Sequence, residues 1–198
     1  MSDPHTELDA LLEELLSNPG TEDEVEERIK RRFEQTRAVM ALDLCGFSKT
    51  TQERGIVAFL AFIHLMRKVA RPIVERHQGV IVDAVADNIL CVFDFVEDAL
   101  GASRELVTEL RHDAGSGDIE LHASVAIGHG TILNFGNVRI AGDEVNLASK
   151  LGEDIAEADE ILLTEGAAAE LDTEGLTRRE LRHGDLDLVF YLVPAQPA

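Results

Sequence analysis

The residues RAVMALDLCG, at positions 37–46, decide the fold of this chain. They form an apolar run with the composition of a buried strand, and Gly46 ends it. Asp43 places a carboxylate near the end of that strand. The backbone amides of the tight turn at Gly46 would open the next helix, and such a turn suits phosphate oxygens.

Helical and strand-like segments alternate after this strand. We predict a helix at about 50–77, a hairpin formed by VIVDAVADNILCVF at 80–93, a helix at 95–112, strands within 121–130 and 131–140, a helix at 142–151, the strand ILLT, a short helix at 165–171, and strands near 177–182 and 187–193. The core order β-α-β-β-α-β is that of the ferredoxin-like arrangement, an α+β fold. The motif GHG at 128–130 predicts a turn at a strand end, not a dinucleotide-binding loop.

A helical arm precedes this core. Residues 6–17 repeat leucines on one helical face, and a second helix at about 22–36 has apolar residues at every fourth position. Acidic residues in its first turn and basic residues in its last turn suit the helix dipole. We therefore predict an arm for dimerisation or docking at 1–36 and a single core domain at 37–198.

The charge of the chain limits its partners. Its 198 residues include 38 acidic and 18 basic side chains, which gives a net charge of -20. Nucleic acid and anionic membranes are repelled by such a surface, so neither is an expected partner. A triphosphate is also an anion, and an acidic protein that binds one needs metal ions or local cations at the site. The acidity itself is equally well explained as a solvated shell without a role in the mechanism.

Three features predict a cytoplasmic protein. Cys45 and Cys91 lie in strand-like runs without CxxC spacing, which is typical of reduced, buried thiols. The first ten residues are acidic and lack the apolar core of a signal peptide. The longest apolar stretch, at 56–66, is much shorter than a membrane span.

Asp43 and Asp87 are the candidate metal ligands. Asp87 lies at the tip of the predicted hairpin, and in a ferredoxin-like sheet the ends of the first and third strands are neighbours. Two close carboxylates repel each other unless a proton or a hard cation such as Mg²⁺ intervenes. The alternative roles are a strand-end cap for Asp43 and an ordinary turn residue for Asp87.

Three segments together resemble the class III nucleotidyl cyclases. The first is ALDLCGFSKTTQERG at 41–55, which is similar to the family's first metal motif. The second is HQGVIVDAVADNILCVF at 77–93, in which Ala86-Asp87 stands where the family has a Gly-Asp pair. The third is GDEVNLASKLGED at 142–154, which resembles the family's VNxAxRLE helix. The resemblance extends from about Arg37 to Val193.

The resemblance implies roles for individual residues. Asp43, Asp87 and the Leu44 carbonyl would hold two Mg²⁺ or Mn²⁺ ions, one of which would activate the ribose 3′-hydroxyl for attack on the α-phosphorus. The residues that would lie near the phosphates are Gly46, Phe47, Ser48 and His183. His183 stands where relatives often have a lysine, although a lone histidine is more often structural.

Asn146 and Lys150 are the candidates for stabilising charge on the α-phosphate. They are four residues apart on one predicted helix, so both side chains can point to one side of it. The family generally has arginine at the position of Lys150. Lysine keeps the charge but lacks the planar fork that contacts phosphate in two places, so weak activity or altered geometry is expected.

Asp83 and Arg139 stand where adenylyl cyclases carry the residues that read adenine. An acid and a base at these positions meet adenine with the wrong polarity, because adenine has an acceptor at N1 and a donor at N6. Guanine fits, with its N1-H and N2-H donors and its O6 acceptor, and uracil fits equally well. The alternative is a salt bridge between Asp83 and Arg139 that closes the pocket.

The predicted function is therefore formation of a 3′,5′-cyclic nucleotide and pyrophosphate from a nucleoside triphosphate, with a base other than adenine. Family members work as dimers with shared sites, so we expect a homodimer with Asp43 and Asp87 from one chain and Asn146 and Lys150 from the other. Asp83 and Arg139 would come with the latter pair. The alternative is a cyclase-homology domain without turnover that acts as a nucleotide-binding or protein-binding signalling module.

Overall fold

The computed structural model describes residues 4–46, 52, 54–112, 121–183 and 186–195, without the side chains of residues 5, 112, 183 and 186. The strands are β1 (Glu34–Leu44), β2 (Val80–Asp83), β3 (Asn88–Phe93), β4 (Ala123–Asn134), β5 (Ile140–Ala141), β6 (Ile161–Thr164), β7 (Thr177–His183) and β8 (Leu186–Leu192). The helices are α1 (Pro4–Ser17), α2 (Glu22–Phe33), α3 (Ile56–Arg76), α4 (Val96–His112), α5 (Asp143–Lys150) and α6 (Glu165–Ala168), and a π-helical turn (Leu151–Ile155) follows α5 directly. Within the described residues, none of these helices is long and apolar enough to cross a membrane.

One mixed sheet runs through the domain in the order β2-β3-β1-β4-β6-β8-β7, and β5 pairs with the far end of β4. β1 is antiparallel to both of its neighbours, β3 and β4. α3 connects β1 to β2, and α4 connects β3 to β4. The order β2-β3-β1-β4 with these two crossovers is the ferredoxin-like arrangement, so the predicted α+β fold is confirmed.

The central strand β1 is covered on both sides of the sheet. Met40 and Leu42 belong to the core beneath α3 and α4, on what we call the α4 face. Val39 and Ala41 alternate with them and pack with Val145 and Ala148 of α5, on what we call the α5 face. Alternation of side chains along a strand continues this pattern, so Asp43 lies on the α5 face.

The motif GHG lies inside β4, so the prediction of a turn at 128–130 is wrong. A β-carbon added at Gly128 would lie 2.9 Å from the Glu144 carboxylate, and one added at Gly130 would lie 2.8 Å from the Glu144 side chain. Glycine is needed at these positions because α5 approaches the strand closely, which the sequence pattern did not distinguish from turn chemistry. The turn comes later, where the Phe135 N–H donates to the Arg139 carbonyl.

The N-terminal helices pack against each other and against the end of β4. Their shared core includes Val25 and Phe33 together with Phe135, whose ring centroid is 5.0 Å from that of Phe33. Ion pairs from Arg28 to Glu14 at 2.6 Å and from Arg32 to Glu7 at 3.1 Å join the two helices. α2 ends at Phe33 and continues directly into β1, which therefore begins three residues earlier than predicted. The role of segment 1–36 in dimerisation or docking stays a prediction.

Candidate functional site

Asp43 lies in a row of polar residues across three strands. It is paired with Asn88 on β3 and with Ser124 on β4, and directly paired residues present their side chains on the same face of a sheet. Ser124 is buried, donates from its hydroxyl to the Gly152 carbonyl at 2.8 Å and lies 3.4 Å from the Asp43 carbonyl. The π-helical turn after α5 is thereby attached to the strand end that carries Asp43.

Asp87 is brought to the same end of the sheet. It is the last residue of the turn between β2 and β3, and the Leu44 N–H donates to its carbonyl at 3.3 Å. This hydrogen bond joins the turn to the end of β1, next to Asp43. The sequence-based expectation that the two acidic residues meet at one edge therefore agrees with the geometry, whereas their role as ligands stays a prediction.

Among the described residues, the charges that act on Asp43 are acidic. Burial, followed by the charges of Asp87 and Glu153, raises the pKa of the Asp43 carboxyl to about 7, against a smaller lowering by the Leu44 N–H. Burial, followed by the charges of Asp154 and Asp87, also raises the pKa of Glu153. None of the charges that act on Asp43 belongs to a lysine or arginine of the described chain. The site therefore favours a bound cation or proton over free carboxylates.

These residues fit a hard divalent cation that shares its coordination with a substrate. The Asn88 side-chain oxygen is buried and has no hydrogen-bond partner, and Asn88 is the residue paired with Asp43. Across the described residues, no group of three or more His, Cys, Asp or Glu side chains is arranged to hold a metal ion. Two carboxylates and neutral oxygens would leave positions open, as Mg²⁺ requires when it binds water and phosphate oxygens.

Arg67 supports the turn that carries Asp87, and sequence reasoning missed it. Its guanidinium reaches from α3 and donates from Nη2 to the carbonyls of Ala84 at 2.6 Å and Ala86 at 3.3 Å. The turn is thereby held against α3 by charge-assisted hydrogen bonds. The only sequence signal was a base within an otherwise apolar helical stretch, which does not name its partner.

Ala86 adopts a backbone conformation that favours glycine. Its φ is 51°, in the left-handed region, where the β-carbon of an L residue costs about 1–2 kcal/mol. This is the position at which the cyclase family has the glycine of its Gly-Asp pair. Glycine would suit this conformation better than alanine does, and the hydrogen bonds from Arg67 help to hold it.

Asn146 and Lys150 both lie on α5, as predicted. Asn146 is exposed, and the Lys150 ammonium lies 3.6 Å from the Asp154 carboxylate. Glu144, which sequence reasoning did not assign, anchors this helix: its carboxylate accepts from the His129 N–H at 3.2 Å and from the Thr164 hydroxyl at 2.8 Å. α5 is therefore attached to β4 and β6 by a side chain two residues from Asn146.

Asp83 and Arg139 do not form the salt bridge that the alternative interpretation required. Both residues are exposed, and among the described ion pairs none joins them. Asp83 ends β2 opposite Leu90, after an irregularity in the strand pairing, and Arg139 lies in the turn before β5. Both side chains are therefore accessible, and their role in base recognition stays a prediction.

The expected phosphate-contacting residues are only partly described. Gly46 is exposed with a φ of 76°, so glycine suits the turn after β1. Phe47 and Ser48 lie outside the described residues. His183 is the last residue of β7, and its side chain is likewise outside the described part.

No protein-family model and no curated protein matches this chain. Solved structures do match it. The catalytic core of a rhodopsin-guanylyl cyclase with converted specificity, in complex with ATPalphaS, has a TM-score of 0.70 and 15% identity over 82% of this chain and 97% of its own. The guanylate cyclase domain of RhGC from Catenaria anguillulae, in complex with GTP, has a TM-score of 0.67 and 16% identity over 83% and 99%.

A third solved structure also matches this chain. The adenylate/guanylate cyclase/hydrolase from Silicibacter pomeroyi has a TM-score of 0.67 and 23% identity over 81% of this chain and 98% of its own. The chain therefore has the fold of the class III nucleotidyl cyclase catalytic domain. The resemblance drawn from the three sequence segments is confirmed at the level of the fold, with the low identity of a divergent member.

Replacing Ala86 with glycine should stabilise the protein. Relief of the left-handed strain outweighs the greater freedom of glycine in the unfolded chain, so we expect Ala86→Gly to raise the free energy of unfolding by about 1 kcal/mol. Ala84→Gly is the matched control, because Ala84 packs on the core and has no positive φ. It should lower the same quantity by about 1 kcal/mol in urea denaturation. Equal effects of both changes would contradict the assignment of strain to Ala86.

The raised pKa of Asp43 should make metal-free stability depend on pH. The folded-state pKa of about 7 exceeds the ordinary value of 3.8, so the folded state loses stability relative to the unfolded state as pH rises from about 4 through about 7. With EDTA present, Asp43→Asn should therefore raise the melting temperature more at about pH 8 than at about pH 5.

The exposed Asp9 on α1 supplies the control for this measurement, since Asp9→Asn should change the melting temperature equally at both pH values. Adding Mg²⁺ at about pH 8 should raise the melting temperature of the wild type and not that of Asp43→Asn, because the ion relieves the same repulsion. A pH-independent effect of Asp43→Asn would contradict the stated origin of the raised pKa.

Proposed function

We propose that this chain is a class III nucleotidyl cyclase that converts a nucleoside triphosphate into a 3′,5′-cyclic nucleotide and pyrophosphate. The observation that carries the proposal is the pair Asp43 and Asp87, joined at one sheet edge, where no described lysine or arginine lowers the pKa of Asp43. The fold supports it, because domains with this fold were solved in complex with GTP and with ATPalphaS.

The candidate site residues would have three roles: holding the metal ions, stabilising charge on the α-phosphate and contacting the phosphate chain. Asp43, Asp87 and the Leu44 carbonyl would hold two Mg²⁺ or Mn²⁺ ions, which neutralise the polyphosphate and lower the pKa of the ribose 3′-hydroxyl. Asn146 and Lys150 would stabilise the negative charge that develops on the α-phosphate. Gly46, Phe47, Ser48 and His183 would contact the phosphate chain.

We propose a homodimer with shared sites, in which a second chain supplies the basic side chain that contacts the substrate at Asp43. In the shared site that the family resemblance implies, Lys150, which lies 3.6 Å from Asp154 of its own chain, would serve the Asp43 site of a second chain. Exposed apolar surface supports such an interface: Val57 and Leu60 of α3 and Val85 of the Asp87 turn are 77%, 57% and 65% exposed. Exposed apolar surface of this kind marks protein contacts.

Guanine or uracil is the proposed base. The exposed Asp83 carboxylate would accept from a ring N–H, and the exposed Arg139 guanidinium would donate to a ring carbonyl. Because these two side chains do not neutralise each other, both remain available for the base. Adenine presents the opposite polarity at both positions.

The second candidate is a cyclase-homology domain that binds a nucleotide or a protein without turnover. The observation that favours it is Lys150, which replaces the family's arginine and is held by Asp154 in the same chain. A lysine cannot make the two-point contact that arginine makes with phosphate. Nucleotide binding without a cyclic product would identify this function.

An assay with four triphosphates tests the proposed reaction. We expect purified protein with Mn²⁺ to form cyclic products from GTP or UTP and little from ATP, as read by mass spectrometry. Asp43→Ala should abolish the product, because it removes a metal-binding carboxylate. No product from any of the four triphosphates, although a triphosphate binds, would exclude the enzyme and leave the second candidate.

Mixing two inactive variants tests the shared site. Asp43→Asn and Lys150→Ala should each be inactive alone, since each homodimer has two defective sites. Random mixing makes about half of the dimers heterodimers with one intact site each, so the mixture should recover about a quarter of the wild-type activity. Mixing Asp43→Asn with Asp87→Asn is the control and should recover nothing, because both losses fall on the same half of the site.

A further inference from the structure

Asp87 lies at a central position of a β-turn formed by residues 85–88. The Asn88 N–H donates to the Val85 carbonyl at 2.9 Å and closes this turn, with Ala86 and Asp87 between them. The direction of the Asp87 side chain therefore depends on the peptide group that joins Ala86 to Asp87. Rotation of this peptide would redirect the carboxylate.

The turn is strained next to that peptide. The φ of Ala86 is 51°, a conformation that disfavours residues with a β-carbon. Val85 and Ala86 are both exposed, so side-chain packing does little to hold the turn. The hydrogen bond from the Leu44 N–H reaches the Asp87 carbonyl, which belongs to the peptide after Asp87 and not to the one before it. Another contact is needed to keep the preceding peptide in place.

Arg67 supplies this contact. Its Nη2 donates to the Ala84 carbonyl at 2.6 Å and to the Ala86 carbonyl at 3.3 Å, and the latter belongs to the peptide between Ala86 and Asp87. One nitrogen thereby holds a carbonyl on either side of Val85. Rotation of the Ala86 carbonyl away from Arg67 would break a charge-assisted hydrogen bond, so the guanidinium opposes release of the strain.

Arg67 is not explained by a contribution to the core. Its Nε–H is buried and has no hydrogen-bond partner, and its described hydrogen bonds go to carbonyls rather than to a carboxylate. A buried donor without a partner lowers the stability of the folded chain. An apolar side chain of similar size would avoid that loss. The gain from this arginine therefore lies in the turn that it holds.

We propose that Arg67 is a positioning residue that keeps the Asp87 carboxylate directed to bind a divalent ion together with Asp43. This inference rests on the proposed metal site at these two residues. Because the turn is already in the binding conformation, the bound ion does not have to supply the free energy that the strain requires.

Arg67 acts through the backbone of the turn. The charges that act on Asp43 are those of Asp87 and Glu153, and the charge of Arg67 is not among them. Removal of the guanidinium should therefore change the affinity for the ion through the conformation of the turn. The fraction of molecules whose turn is in the binding conformation sets the apparent affinity.

Titration of the full chain with Mn²⁺, read by electron paramagnetic resonance of the free ion, tests the proposal. Arg67→Met keeps the hydrocarbon stem and removes the donors. We expect it to leave about a tenth or less of the molecules in the binding conformation and so to weaken Mn²⁺ binding at least about tenfold. Arg71→Met, the same change at an exposed residue of α3, is the matched control and should leave the Mn²⁺ affinity unchanged.

Melting temperatures in EDTA separate positioning from a general structural role. If Arg67 positions Asp87, Arg67→Met should melt within about 4 °C of the wild type although its Mn²⁺ affinity falls. A lower melting temperature with unchanged Mn²⁺ affinity would overturn the proposal.

Ala86→Gly supplies a second variant, because glycine adopts a positive φ without strain. Added to Arg67→Met, it should restore the Mn²⁺ affinity at least about threefold, and it should change the affinity less in the chain that retains Arg67. Equal effects of Ala86→Gly in the two backgrounds would show that Arg67 does not act on the strained peptide, contrary to the proposal.

Asp43→Asn distinguishes failure of this inference from failure of the proposed function. If the wild type binds no Mn²⁺, or if Asp43→Asn binds it as tightly as the wild type, the proposed metal site is wrong and the role of Arg67 is wrong with it. If Asp43→Asn weakens binding and Arg67→Met does not, the metal site stands and the role of Arg67 alone is wrong.

Discussion

Antiparallel pairing of β1 with β3 on one side and β4 on the other is the constraint on which the site depends. The pairing places Asn88 and Ser124 on either side of Asp43, and it continues past the strand end through the hydrogen bond from the Leu44 N–H to the Asp87 carbonyl. A slip of one residue in either register would turn Asp43 toward the α4 face and separate it from α5. The apolar residues that alternate along β1 prevent that slip, because each face has its own core to fill.

The same geometry creates an electrostatic conflict at the strand end. Burial and the neighbouring carboxylates of Asp87 and Glu153 disfavour the charged form of Asp43, and no described base of the chain offsets them. The free energy that this conflict costs the folded chain is available to any cation that binds there. In a protein with a net charge of -20, this local demand for positive charge is the feature on which the proposed binding of a triphosphate with its metal ions rests.

Two side chains hold the segments of the candidate site against the rest of the domain. Arg67 holds the turn of Asp87 against α3, and Glu144 holds α5 against β4 and β6. Both act through hydrogen bonds of charged groups to backbone or hydroxyl partners, which are stronger and more directional than neutral ones. The turn of Asp87 and the helix of Asn146 are thus positioned by separate anchors.

The sequence by itself determined the order of elements, the ferredoxin-like class and the two carboxylates that meet at one edge, because apolar periodicity and glycine turns are local signals. Only the tertiary structure decided why glycine occurs at Gly128 and that Arg67 and Glu144 are anchors. Such partners are far apart in the chain, and their contacts depend on how helices pack on the sheet, which a local pattern does not encode. The tertiary structure also showed that Asp83 and Arg139 are exposed and do not pair with each other. The sequence could not show this, because pairing between charges depends on side-chain distances that spacing along the chain does not give.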